Sequence, residues 1–268
     1  SDGHNFAKMA IDNGAVALMV ERKLDFDIPQ IKVESTRHQI ADLAATFYDY
    51  PSKNINMIGV TGTNGKTTVT HLLQKIFEAN NEKCGLIGTL GFKFKSTDNY
   101  AEAKHTTPQA PEFQHLLQRA VDAGINTISA EVSSHSLEQN RVGGTVWNTA
   151  VLTNLTQDHL DYHITMNNYF EAKAILFRGL GKGATAVINA DDEYAERFIG
   201  AVPEGVKIVT YGVKKDADFK AKDISFSMHG AKYTLCFENV EKPVDLQLNG
   251  MFSVYNTLAA IATAKSNG

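Results

Sequence analysis

Residues 56–68, NMIGVTGTNGKTT, constrain the fold of this chain more than any other stretch. Asn56–Thr61 is a short apolar run of the kind that forms a buried parallel strand. Gly62-Thr63-Asn64-Gly65 breaks it, and Lys66-Thr67-Thr68 opens a segment of helical spacing in which Val69, Leu72, Leu73, Ile76 and Phe77 share one face. Strand, glycine turn and helix start, in that order, build an anion site. The glycines let the backbone bend, and the first free N–H groups of the helix point at the anion. Lys66 suits the β/γ-phosphates of a nucleotide, and the Thr67 hydroxyl suits Mg²⁺. The full P-loop pattern asks for glycine where Val60 stands, so only the shorter G-x-x-G-K-T form is present. The plainer reading of the same residues is a β–α turn carrying a surface lysine.

From residue 56 to 211, apolar strand-like runs at 56–61, 84–89, 126–132, 149–152, 184–189 and 207–211 alternate with helical patterns at 67–80, 111–123, 167–179 and 192–199. That alternation predicts an α/β fold with a doubly wound, mainly parallel sheet. Such sheets bind ligands beyond the C-terminal ends of their strands, so the residues just after each strand are the ones to inspect. Residues 219–226, 231–237 and 244–248 instead alternate apolar and polar, as antiparallel strands do, with a turn at His229-Gly230 and a closing helix from about Met251. Residues 1–50 read as a separate small α/β unit. It has a helix bearing Phe6, Met9 and Ala10, a buried strand at 15–20, and a second strand around Ile31. A helix capped by Ser35 or Thr36 follows, with Ile40, Leu43, Ala44 and Phe47 inward. Tyr50-Pro51-Ser52 reads as a linker to the domain at 51–268.

A chain of 268 residues with net charge −4 can bury a good core and is a poor match for a general nucleic-acid binder. No run of ~18 apolar residues occurs, and the polar opening Ser1-Asp2-Gly3-His4 has no signal-peptide character. Two isolated cysteines, Cys84 and Cys236, point to a reduced, cytoplasmic setting with both as small core residues. Both ends read as cuts within a longer protein.

Several strand ends carry chemistry-bearing residues. Glu131 closes an apolar strand, where an unpaired carboxylate is expensive to bury. Facing Lys66 and Thr67, it fits a Mg²⁺-binding acid; a capping or salt-bridged glutamate is the alternative. Ser133-Ser134-His135-Ser136 follows, but the G-x-S-x-G elbow of a serine nucleophile is missing, so helix capping or substrate contact is favoured. Residues 154–163, NLTQDHLDYH, place two aspartates and two histidines after a strand. His159 and His163 lack the adjacent glutamate of zinc proteases, which leaves a second Mg²⁺ ligand, a group near transferring phosphate, or a polar helix start capped by Asp158 or Asp161. His105-Thr106-Thr107-Pro108 and Gln139-Asn140-Arg141 lie in polar connections, and Arg141 is either a bidentate anion clamp or a solvated arginine. Lys173 lies on an amphipathic helix pattern, and by composition and spacing it is an ordinary exposed lysine.

Taken together, TGTNGKTT (61–68), HTTP (105–108), EVSSHSLEQNRV (131–142), TNLTQDHLDYH (153–163), YFEAKAILF (169–177), INADD (188–192) and NGMFSVYNTLAA (249–260) resemble the Mur ligases of peptidoglycan synthesis. The resemblance spans essentially the whole chain. It is greatest to the branch that adds the third amino acid to UDP-N-acetylmuramoyl-L-alanyl-D-glutamate. It implies a P-loop ATPase-like central domain, with 1–50 the remainder of an N-terminal UDP-binding domain and a C-terminal, amino-acid-selecting domain outside the chain. The implied reaction is ATP-dependent amide formation through an acyl phosphate, with meso-diaminopimelate as the commoner added residue and L-lysine as the alternative. Gly62, Thr63, Asn64, Gly65, Lys66, Thr67 and Thr68 would hold the ATP phosphates, and Asn256 would lie near the adenine. Thr67 and Glu131 would bind one Mg²⁺, and His159 would help hold a second. Lys173 falls where the family carries a carbamylated lysine, a carboxylate-like metal ligand. Thr106, Thr107, Ser133, Gln139 and Arg141 fall at positions that contact the UDP-muramoyl-peptide, and His105 stands where some relatives have asparagine. The expected molecule is a cytoplasmic monomer without nucleic-acid or membrane partners, and these residues alone are expected to bind ATP weakly and ligate poorly. The rivals are a folylpolyglutamate synthase-type ligase and a P-loop nucleotide switch that forms no acyl phosphate. Two metal sites are more than a simple switch needs.

Overall fold

The computed structural model describes residues 2–101 and 106–268; His105 lies outside them. The small N-terminal unit contains α1 (Ala7–Asp12), a parallel pair of three-residue strands, β1 (Leu18–Val20) and β2 (Gln30–Lys32), and α2 (Thr36–Phe47). Ser35 caps α2 by accepting from the His38 N–H. Three expectations for this unit are corrected. The strand starts at Leu18 rather than residue 15, and Val16 is 84% exposed. The buried face of α2 is Ala41, Ala44 and Ala45, while Ile40, Leu43 and Phe47 are exposed. The small side chains face inward because α2 lies against the backbone at Gly143 and Gly144, where only an alanine face can approach so closely. Pro51 and Ser52 are buried in a tight turn rather than a loose linker, and the Ser52 hydroxyl accepts from the Val146 N–H.

The remainder builds one sheet. In chain order its elements are β3 (Asn56–Thr61), α3 (Lys66–Ala79), β4 (Cys84–Gly88), β5 (Gly91–Lys93), α4 (Ala110–Asp122), β6 (Thr127–Glu131), α5 (Ser134–Glu138), β7 (Thr149–Leu152), α6 (Leu160–His163) and α7 (Met166–Arg178). There follow β8 (Thr185–Asn189), α8 (Ala195–Ala201), β9 (Lys207–Gly212), β10 (Phe219–Ser227), β11 (Gly230–Phe237), β12 (Val240–Leu246) and α9 (Met251–Ser266). The ten strands run in the order β12-β11-β10-β9-β8-β7-β3-β6-β4-β5. Pairing is parallel from β4 through β9 and into the start of β10, and antiparallel at both margins. The antiparallel strands thus extend the same sheet.

Alternation along β3 sends Met57 to one face and Ile58 with Val60 to the other. The first face is covered by α4, α7 and α8 through Phe113, Leu117, Phe177 and Phe198, and the second by α3 and α9 through Val69, Leu73, Val254 and Leu258. Because β6 and β7 flank β3 on opposite sides, the loops leaving these strands diverge. They leave a crevice above Thr61, where a doubly wound sheet presents its ligand site. Among the described residues no helix is long and apolar enough to cross a membrane.

Candidate functional site

The loop after β3 owes its shape to two glycines. Gly62 (φ 146°) has no room for a Cβ against the Thr153 hydroxyl, and Gly65 (φ 89°) has none against the Asn256 amide. The segment after β7 fastens the loop from the side. The Thr63 N–H donates to the Asn154 carbonyl at 2.8 Å, the Asn64 N–H to Asn154 Oδ1 at 3.0 Å, and the Thr153 hydroxyl to the Asn64 carbonyl at 2.6 Å. Helix α3 starts at Lys66, so the free N–H groups of its first turn open on the crevice, with Thr68 half-buried there.

Two lysine side chains converge on this loop. Lys66 Nζ donates to the Gly62 and Thr63 carbonyls, both at 2.8 Å, and Lys173 Nζ donates to the Gly62 carbonyl at 2.9 Å. Lys173 is 1% exposed and lies 4.5 Å from the Tyr169 ring centre, which overturns the expectation of an ordinary surface lysine. Burial holds the Lys173 amine well below the usual lysine range, and the charge of Lys66 adds to the effect. Burial also lowers Lys66, opposed by the charges of Glu131 and Asp158.

Glu131 is 1% exposed at the end of β6 and is fully paired. Its Oε1 accepts from the Thr67 hydroxyl at 2.9 Å and from the Thr89 N–H at 3.1 Å, and its Oε2 accepts from the Thr89 hydroxyl at 3.0 Å. Gly88 gives the carboxylate its space, because a Cβ there would overlap it. Thr89 was not singled out in the sequence, although it directly follows β4 and the strand-end rule points to it.

The other candidates sort into two neighbouring groups. The buried Thr107 hydroxyl donates to the Glu131 carbonyl at 2.8 Å and accepts from the Ser133 N–H at 3.3 Å. The Thr106 hydroxyl lies 3.2 Å from the Thr89 hydroxyl, whose own proton goes to Glu131. Arg141 donates through NH1 to the Thr107 carbonyl at 3.1 Å, and through Nε and NH2 to Gln139 Oε1 at 3.1 and 2.8 Å. Thr106, Thr107, Ser133, Gln139 and Arg141 therefore form one rim beside Glu131. The Ser133 hydroxyl caps α5 by accepting from the Ser136 N–H. The serine paired with a histidine is Ser134, 2.9 Å from His163 Nε2, and both are buried, so no substrate reaches that pair.

On the other side, His159 is exposed in a left-handed conformation (φ 51°) and stacks edge-on against His135 and Tyr169. Its Nε2 lies 3.5 Å from Asp158. His163, four residues on, is a buried structural residue, and burial lowers its pKa. Asn256 of α9 lies directly over Gly65.

The donors fit Mg²⁺ unevenly. A threonine hydroxyl and a carboxylate beside a phosphate loop match its habit of taking one or two protein oxygens and completing its shell with phosphates and water. Among the described residues no three His, Cys, Asp or Glu side chains gather as a metal cluster, so a second ion would need Lys173 as a carbamate. A lysine amine is no ligand for so hard an ion.

A family model described as the Mur ligase middle domain matches residues 60–264. The chain is 43% identical over 269 residues to the UDP-N-acetylmuramoyl-L-alanyl-D-glutamate–2,6-diaminopimelate ligase of Listeria monocytogenes serotype 4b, a match covering 98% of this chain and 54% of that protein. It is 41% identical over 275 residues to the ligase of the same name from Geobacillus thermodenitrificans, covering 100% and 55%. A solved structure of a ligase of that name superposes with a TM-score of 0.88 at 33% identity, covering 98% of this chain and 54% of the other. The chain thus spans about half the length of the curated relatives it matches.

Proposed function

The chain belongs to the Mur ligase family, and from that premise we propose that it forms the ATP-binding and central part of an ATP-dependent ligase. This ligase adds a third amino acid to UDP-N-acetylmuramoyl-L-alanyl-D-glutamate, with meso-diaminopimelate favoured over L-lysine because the similar curated ligases are named for it. It works as a cytoplasmic monomer without nucleic-acid or membrane partners. Residues 1–50 belong to a UDP-binding domain, and 51–268 to the central domain.

The observation that carries the reading is the bonding of Glu131 to Thr67 across the mouth of the Gly62–Gly65 loop, with two lysines behind that loop. Gly62, Thr63, Asn64, Gly65 and the α3 N-terminus hold the triphosphate, Lys66 turns from its two carbonyls to the β/γ-phosphates, and Asn256 contacts the adenine. Thr67 and Glu131 would hold one Mg²⁺, and His159 with a carbamylated Lys173 a second; such ions would supply positive charge against the transferring phosphoryl group. A substrate carboxylate oxygen attacks the γ-phosphorus and ADP leaves. The amine of the incoming amino acid then attacks the acyl carbon, loses a proton, and expels phosphate. The rim of Thr106, Thr107, Ser133, Gln139 and Arg141 contacts the UDP-muramoyl-peptide and so keeps its reacting end in line.

The depressed pKa of Lys173 supports the carbamate. An unprotonated amine adds to CO₂ and releases one proton, and the product carries the negative charge a metal needs. The test is titration of the full-length protein with UDP-N-acetylmuramoyl-L-alanyl-D-glutamate, then phosphate release with ATP and either amino acid. Binding with release for one amino acid is expected. No binding overturns the muramoyl assignment and favours the folylpolyglutamate-type ligase; ATP hydrolysis without an acyl acceptor favours the switch.

A further inference from the structure

Beside the rim lies a second cationic residue, Arg37, that belongs to none of the motifs. Between the small N-terminal unit and the sheet is a cavity of about 210 Å³, lined by Arg37 and Ile40 of α2, Gln109 and Pro111 at the start of α4, and Gln139 with Arg141. Two guanidinium groups thus face one space from two parts of the fold. Among the described residues neither forms an ion pair with a carboxylate. Arg141 has spent three of its five N–H donors on Gln139 and the Thr107 carbonyl, which fixes its plane and leaves two. Burial, and then the charge of Arg37, disfavour its protonated form. Two like charges facing one space favour an anion between them, and the planar fork of arginine matches a carboxylate.

We propose that Arg37 reaches across this cavity and, with Arg141, clamps the non-reacting carboxylate of the substrate's terminal D-glutamate. The proposal rests on the ligase reading above. The cavity is smaller than the ~300 Å³ at which drug-sized ligand sites begin, which suits a single anionic group rather than a nucleotide. It also adjoins the reaction centre. Arg141 bonds the Thr107 carbonyl, and the Thr107 hydroxyl bonds the Glu131 carbonyl. The reacting carboxylate belongs beside Lys66 and Glu131, so the carboxylate that fits one rim away is the other one. Arg37 would then join the N-terminal unit to the central domain through the substrate itself.

The test uses the full-length ligase and compares wild type with Arg37→Gln and Arg37→Lys. Arg37 is exposed, so neither change removes core packing. Arg37→Gln is expected to raise KM for the UDP-muramoyl-dipeptide by about tenfold or more, with KM for ATP unchanged. Arg37→Lys, which keeps the charge and loses the fork, is expected to fall between. With a substrate analogue whose non-reacting carboxylate is an amide, the Arg37→Gln defect should vanish. A defect that persists on the amide and vanishes on an analogue lacking the diphosphate would overturn the carboxylate and assign the pair to the diphosphate. Unchanged KM in Arg37→Gln overturns the clamp while leaving the ligase reading intact. A wild-type protein that does not bind the dipeptide substrate overturns both.

Discussion

At the scale of single residues, Glu131 and Lys173 had opposite fates. Glu131 was legible because a carboxylate ending an apolar strand is costly without a partner, and its partners are Thr67 in the first turn of α3 and Thr89 just after β4. Lys173 was not, because nothing in the helix pattern at 169–177 distinguishes an inward lysine from an outward one; only the family resemblance gave it a role. Glu131→Gln keeps the volume but turns an amide towards the Thr89 N–H. We expect phosphate release in the full-length enzyme to fall on the order of 10²–10³-fold, with the fold retained by circular dichroism. Lys173 yields a pH prediction. Its folded-state pKa is lowered, so between that lowered value and about pH 10.4 the unfolded chain binds a proton that the folded chain refuses. Stability contributed here therefore rises with pH towards that value and is lost as pH falls. In CO₂-free buffer, Lys173→Met is expected to melt higher than wild type near neutral pH, the gap closing as pH approaches about 10. Adding bicarbonate should stabilise wild type and leave Lys173→Met unmoved. A variant that melts lower at every pH would show that the amine bonds to Gly62 outweigh its burial.

At the scale of elements, the parallel strands were the legible part. Asn56–Thr61 and Thr149–Leu152 fall at the expected residues, and the others shift by one residue at one end or, for β6, at both, since continuous burial on both faces leaves a continuous apolar run. The helix α2 was misread because its large apolar residues form a stripe, yet Ala41 and Ala45 are the side chains that meet Gly143 and Gly144. Hydrophobic periodicity does not record how closely two backbones approach. The strand β5 went unseen, and at α5 and α6 only a capped helix start was offered as one alternative, because elements of three to five residues are fixed by tertiary contacts rather than by pattern. The candidate site depends on one such approach, at the end of β4. Gly88→Ala keeps the strand but puts a methyl where the Glu131 carboxylate lies. We expect turnover to fall by about 10²-fold as the carboxylate moves off Thr67, with the Mg²⁺ requirement rising in step and a stability loss of about 1–3 kcal/mol. Unchanged Mg²⁺ dependence in this variant would show that Glu131 does not position the ion.

At the scale of the whole molecule, the Gly62–Gly65 loop is where separate parts of the sheet meet. It leaves β3, is fastened by the segment after β7, faces Glu131 from β6, and lies under Asn256 of α9, the last helix of the chain. A nucleotide bound here therefore touches elements from the start, middle and end of the central domain, and it stabilises them as one unit. Linkage gives the size of the effect: a ligand at 100 times its Kd adds about 2.7 kcal/mol to the folded state. For a domain of this size about 1 kcal/mol moves Tm by roughly 2–4 °C, so saturating Mg·ATP should raise Tm by roughly 5–10 °C. Lys66→Ala frees the Gly62 and Thr63 carbonyls of a cation that burial already penalises, so the unliganded Tm should change little. The nucleotide-induced rise should shrink to near zero, and scanning calorimetry with and without Mg·ATP measures both quantities. A full rise in Lys66→Ala would mean that the backbone N–H groups of the loop and α3 hold the phosphates without the lysine. Lys66 would then matter for the transferring phosphoryl group alone.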